Sequence, residues 1–139
     1  MAGVFLYWGE GLKTANSSLY LSNTDPSIIK FFALWLMKSL KVPKQKFHVQ
    51  LHLYSDMDIN KEISFWSEVI GVPTTQFIKP YIKNTFSYNI NHKGRFGHGT
   101  CTLGIGNARL SEKILMAIKA ISEKYGPVVQ RLEQLSYKQ

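Results

Sequence analysis

The spacing of polar and apolar positions changes period several times along the chain, and each change marks an element. At the start, Val4, Phe5, Leu6, Tyr7 and Trp8 form an apolar run of helical length between Gly3 and Gly9 that closes on Glu10 and Gly11. The run predicts a buried helix over 3–11, in which Gly9 admits another backbone and Gly11 allows the positive φ that ends it. Residues 12–17 are polar and turn-like. Residues 18–22 alternate, with Leu19 and Leu21 on one face of a short strand. Asp25 then caps a helix with Pro26 at its first position. That helix is predicted to run to about Leu40, and its apolar residues, Phe31, Leu34 and Trp35 among them, cover more than one face, which implies heavy burial.

Lys41, Val42, Pro43 and Lys44 break the helix, and 46–55 carries the clearest alternation in the chain. Phe47, Val49, Leu51 and Leu53 point to one side of a strand; His48, Gln50, His52 and Tyr54 point to the other. Asp58 caps a helix over 59–70 whose buried face is Ile59, Ile63, Trp66 and Ile70, stopped by Gly71 and Pro73. Residues 76–83 are extended, with Pro80 forcing an edge position or a bulge that would break the common side of Phe77, Lys79, Tyr81 and Lys83. Alternation over 86–91, a basic tip at 92–97 and alternation over 100–105 predict a hairpin with Cys101, Leu103 and Ile105 inward and Thr100 and Thr102 outward. A last helix is expected over 108–125, ended by Gly126 and Pro127, with 126–139 as a tail that can add a short helix. The sum is a single α+β domain over 1–139, its sheet mostly antiparallel and backed by helices.

Charge narrows the class. Seventeen Lys and Arg against nine Asp and Glu give a formal charge of +8, which makes nucleic acid the leading partner, ahead of a basic surface kept for solubility or one facing anionic lipid. Lys13, Lys83, Lys93 and Arg95 are candidate contacts, the last two on the tip, where they can track phosphates. His48, Gln50, His52 and Tyr54 either read base edges, as Gln can read adenine, or form a solvated face. His48 and His52 are about 13 Å apart along a strand, too far to share a metal. Hydrophobic residues make up 45% of the chain and charged residues 19%, which describes a folded protein. No apolar run spans a bilayer, no secretory cleavage pattern opens the chain, and the lone Cys101 excludes an intrachain disulfide. These point to a soluble protein of a reducing compartment, cytoplasmic or organellar. A core helix starting so near the first residue leaves room for a preceding segment in a longer form. The glycines lack the spacing of a dinucleotide loop, no small-molecule organic cofactor is expected, and no nucleophile constellation emerges.

Glu10 is the acidic residue placed directly at the end of an apolar run. A carboxylate gains nothing from a helix C-terminus, so it is either a solvated residue beyond a core helix or a ligand for a hard cation. The stretch GVFLYWGEG resembles a divergent form of the motif that names the LAGLIDADG homing endonucleases, through Leu6, Gly9, Glu10 and Gly11. Trp8 stands where many members carry an acid, and Phe5 where they carry a small residue. SNTDP, FWSEVIGVP, QFIKPYIK and GTCTLGIGNARL follow in the order of a subgroup of such domains, so the resemblance covers nearly the whole chain.

The resemblance implies a homing-endonuclease-like fold in which two copies join through Gly3, Leu6 and Gly9 of the motif helix, forming a homodimer on double-stranded DNA. It implies Glu10 as ligand for Mg²⁺ or another divalent metal, and Lys79, with Lys83 second, as the basic residue near the attacking water. The expected activity is metal-dependent, sequence-specific DNA cleavage. The competing expectation is a catalytically silent DNA- or RNA-binding module of the same fold, a regulator or maturase-like protein.

Overall fold

The structure is a computed structural model that describes residues 3, 7, 11–12, 18–84 and 97–137, with the backbone alone at 11–12, 108 and 125–137. Five strands form one mixed sheet: β1 (Gly11–Leu12), β2 (Leu19–Asn23), β3 (His48–Tyr54), β4 (Tyr81–Lys83) and β5 (Thr100–Ile105), in the order β1-β2-β5-β3-β4. Among the described residues three helices with defined bounds back it: α1 (Pro26–Lys38), α2 (Ile59–Ile70) and α3 (Ala108–Tyr137). The ladders β1–β2, β2–β5 and β5–β3 are antiparallel, and β3–β4 is parallel, the two strands being joined by a crossover that contains α2. The domain is α+β, as the alternation of elements implied.

The sheet is one-sided because its strands alternate. Leu19 and Leu21 of β2, Val49, Leu51 and Leu53 of β3, and Cys101, Leu103 and Ile105 of β5 all face the helices and are buried. Each such aliphatic side chain contributes about 1.5–3 kcal/mol by leaving water. The helices meet this layer with Ile29, Phe32, Ala33 and Leu36 of α1, Trp66 and Ile70 of α2, and Ile114 and Ile118 of α3. Gly3 and Tyr7, both helical and buried, sit one turn apart against α1. Tyr7 stacks on Phe32 with ring centroids 6.5 Å apart, and a Cβ on Gly3 would lie 2.2 Å from the Trp35 indole.

Local chemistry sets the ends of the elements. Asp25 accepts from the Ser27 amide at 2.9 Å, with Pro26 opening α1. Asp58 accepts from the Lys61 amide, and Gly71 closes α2 at φ 81°. Between Phe77 and Tyr81 the chain takes one residue more than β3 does between Val49 and His52, the positions they pair with. This is the bulge expected around Pro80, and it turns Phe77 toward the core while Tyr81 stays on the outer face.

Four expectations need correcting. The hairpin of 86–91 with 100–105 does not hold on the β5 side, because β2 takes one edge of β5 over 101–105 and β3 takes the other over 100–104; residues 86–91 and the tip lie outside the described residues. The last helix continues to Tyr137 through Gly126 and Pro127. An interior proline costs about 3 kcal/mol but leaves φ helical, and the residues beyond it, rich in Gln, Glu and Leu, favour continuing the helix. Helix α1 ends at Lys38, with the Ser39 and Leu40 amides both donating to the Trp35 carbonyl and Lys41 at φ 58°. Its burial is one-sided: Phe31 and Leu34 are exposed, and no described element lies over them.

Gly104 is a position where only glycine fits. A Cβ there would stand 2.3 Å from both the Leu19 carbonyl oxygen and the Tyr20 ring. Gly104→Ala is expected to lower stability by about 1–3 kcal/mol in urea denaturation; an unchanged midpoint would contradict this packing. Cys101 is fully buried, and that burial pushes its thiol pKa far above the usual range. Its folded-state value is raised, so its contribution to stability is complete below the unfolded thiol pKa of about 8.5 and declines as pH rises beyond it. Thiol labelling of the native protein should follow the unfolding rate, whereas fast labelling at pH 8 would mean that Cys101 is accessible.

Candidate nucleic-acid interface

The outer face of the sheet is built from the alternate residues of the same strands. Register places them in rows across β2, β5 and β3. The first is Tyr20, Gly104 and His48; the second Ser22, Thr102 and Gln50. A third, Thr100, His52 and Tyr81, and a fourth, Tyr54 and Lys83, extend the face across β4. No row contains a carboxylate, and Lys79 and Lys83 stand exposed at the β4 edge.

Hydrogen bonds hold these side chains in place. Because Gly104 has no side chain, the Tyr20 ring crosses over β5, and its hydroxyl is hydrogen-bonded to His48 Nδ1 at 2.8 Å. The Ser22 and Thr102 hydroxyls are joined at 2.5 Å. Gln50 Nε2 donates to the Lys79 carbonyl at 3.0 Å, which fixes the amide and anchors the bulged segment. Gln50 keeps its Oε1 acceptor and a second N–H, the pair that a bidentate contact with adenine requires. His52 packs against Tyr81 with centroids 5.6 Å apart. Between the first two rows, with Ile78 at its rim, lies an open depression of about 420 Å³.

The structure thus brings His48, Gln50, His52, Tyr54 and Lys83 onto one surface, with Lys79 attached through its carbonyl. Gly3, expected at a contact between copies, packs against Trp35 of its own chain. Glu10, Lys13, Lys93, Arg95, Leu6 and Gly9 lie outside the described residues. Among the described residues no three His, Cys, Asp or Glu side chains gather as a metal site would require, and no helix is long and apolar enough to cross a membrane. Tyr20 and Ser22 were missing from the sequence-based set, although the alternation that turned Leu19 and Leu21 inward places both on this face.

A second polar pair lies on the helix side. Glu62 of α2 is buried, and its Oε2 is 2.8 Å from His98 Nδ1. The His98 ring stacks on Phe65 at 3.6 Å between centroids, and the His98 carbonyl accepts from Trp66 Nε1 at 2.9 Å. At Gly99, φ is +74° and a Cβ would lie 2.8 Å from the His52 carbonyl oxygen. The segment entering β5 is therefore clamped between α2 and β3. This pair escaped sequence reading because its members are far apart in the chain and Glu62 sits on an otherwise apolar helix face.

No family model matches the chain, and no curated protein is detectably similar to it.

The Glu62 clamp is structural and distant in kind from the open face. Glu62→Ala is expected to cost about 1–3 kcal/mol, because it strands the polar groups it paired. The Tyr20–His48 and Gln50–Lys79 hydrogen bonds of the outer face should persist in the folded variant, read from unchanged side-chain NMR shifts there. Full stability in thermal unfolding would show that the pair holds nothing together.

Proposed function

We propose that this protein binds double-stranded DNA across the outer face of its sheet and, as a homodimer, cleaves it with the help of a divalent metal held by Glu10. The observation that carries the reading is the fixed Gln50 amide among ordered polar rows that contain no carboxylate among the described residues. A twisted sheet or β-ribbon can enter a major groove, where base pairs differ in their donor and acceptor patterns. Gln50, held by the Lys79 carbonyl, offers its remaining donor and its acceptor to an adenine. His48 and His52 offer ring nitrogens to base edges or phosphates, and Lys83 and Lys79 offer positive charge to the backbone. The net charge of +8 favours the approach to a polyanion.

Cleavage of a phosphodiester requires an activated water, neutralisation of the developing charge and support for the leaving oxygen. One carboxylate per chain, completed by substrate phosphate and water, is a donor set suited to Mg²⁺. When bound, such an ion supplies a Lewis acid and lowers the pKa of its water. Lys79 is the residue proposed to orient or stabilise charge near that water, with Lys83 in reserve. Two copies related by a two-fold axis would read a near-palindromic site.

The open face also supports a simpler reading, a DNA- or RNA-binding module without cleavage, because the described polar rows make a binding surface without any contribution from Glu10. The test is plasmid-library nicking and cutting by the wild type, Glu10→Gln and Gln50→Ala, with and without Mg²⁺, together with binding of all three. The expected result is metal-dependent cutting by the wild type alone, binding retained by Glu10→Gln, and a loss of about 1–3 kcal/mol at adenine-containing target positions for Gln50→Ala. Tight binding without cutting by any of them would establish the module instead.

A further inference from the structure

A second cavity bordering the described residues lies not on the sheet face but at its end. It measures about 640 Å³ and lies between the turn that follows α1, the start of β3 and the start of α3. Leu40, Val42, Pro43, Ile105 and Leu110 form an apolar wall. The remaining lining includes Lys41, Lys46 and Arg109, all exposed, with no carboxylate among them. None of the three cations is in an ion pair with a described acidic residue. His48 lines this cavity and also the depression on the outer face, so the two are neighbours with one side chain in common.

We propose that this cavity takes one sugar–phosphate unit of the nucleic acid that lies on the sheet, with the phosphate on Lys41, Lys46 and Arg109 and the sugar against the apolar wall. The proposal rests on the nucleic-acid reading above and adds a defined end point to it. Three cations lining one cavity without a counter-charge among the described residues form a site of positive potential, which an anion relieves. The cavity has more room than a bare phosphate needs, and its apolar side matches the carbon surface of a pentose. Because His48 belongs to both surfaces, a strand lying on the sheet at His48 is next to the cavity. A contact of this kind fixes position along the duplex but carries no sequence information, which stays with Gln50 and its neighbours.

The ligand chemistry, a phosphate on a sugar, also occurs in free nucleotides, and the experiment separates the two sources. A bound DNA site is resynthesised with a neutral methylphosphonate at each backbone position in turn, and affinity is measured for the wild type, for Lys46→Gln/Arg109→Gln and for the charge-matched control Lys113→Gln/Lys119→Gln. Both control positions are exposed on α3 and outside the cavity. The expected result is one position per half-site where neutralisation weakens wild-type and control binding at least fivefold but leaves the cavity variant unchanged. The salt dependence of log K should also fall by about one phosphate in the cavity variant, a slope change of ~0.9. Equal sensitivity of all three proteins at every position overturns the proposal while leaving binding on the sheet intact. Saturation by a deoxynucleoside monophosphate that neither the unmodified DNA nor its methylphosphonate forms displace overturns it in favour of a free-nucleotide site. Failure of the wild type to bind DNA would remove the parent reading as well and would be visible before any methylphosphonate is made.

Discussion

Everything positioned on the open face depends on the pairing of β5 along both of its edges. Because β2 and β3 each run antiparallel to β5, they are parallel to one another, and their outward residues fall into register across it. That register puts Tyr20 beside His48 and Ser22 beside Gln50, separated only by the thin strand between them. Gly104 is what lets the Tyr20 ring cross β5. The inward half of the same alternation supplies the apolar layer that α1, α2 and α3 cover, so one pattern of residues produces both the core and the exposed polar surface. A shift of one residue in β5 would exchange the two faces, and the cost of exposing Cys101, Leu103 and Ile105 prevents it.

The clamp at Glu62 and His98 serves the same strand from its entrance. Phe65, Trp66 and the backbone at Gly99 hold residues 97–99 against α2 and β3, which fixes where β5 begins. On the far side of the sheet the Gln50 amide ties β3 to the bulged segment that carries Lys79 and leads into β4. The surface is therefore preorganised by bonds that do not consume its whole hydrogen-bonding capacity. This matters for recognition, since groups already held in place lose less freedom when a ligand arrives.

Much of this was legible in the chain itself, for identifiable reasons. The period-two alternation around Val49, Leu51 and Leu53 fixed which residues of β3 face outward, and Asp25, Asp58 and Gly71 marked helix ends through backbone hydrogen bonds that are local in sequence. Pro80 announced a bulge because it cannot donate to a ladder. Alternation tells which face a residue occupies but not which strand lies beside it, so the central place of β5 was missed and a local hairpin was expected in its stead. The continuation of α3 through Pro127 was missed because a proline's penalty is local and can be outweighed by the residues that follow. Glu62 and His98 could not be paired from sequence because their contact is tertiary. For the candidate site, the outward set His48, Gln50, His52 and Tyr54 was correctly grouped, whereas the contributions of Tyr20 and Ser22 and the cavity around Arg109 emerged only when the strands and turns were assembled.

The proposal that the outer sheet face binds nucleic acid is tested most directly by backbone amide and side-chain NMR during titration with duplex DNA. The account predicts that shifts concentrate at Tyr20, His48, Gln50, His52 and Thr102 and extend toward Arg109, while Phe31, Leu34 and the Glu62–His98 clamp remain still. Shifts confined to the helix side, or the absence of shifts at saturating DNA, would contradict it.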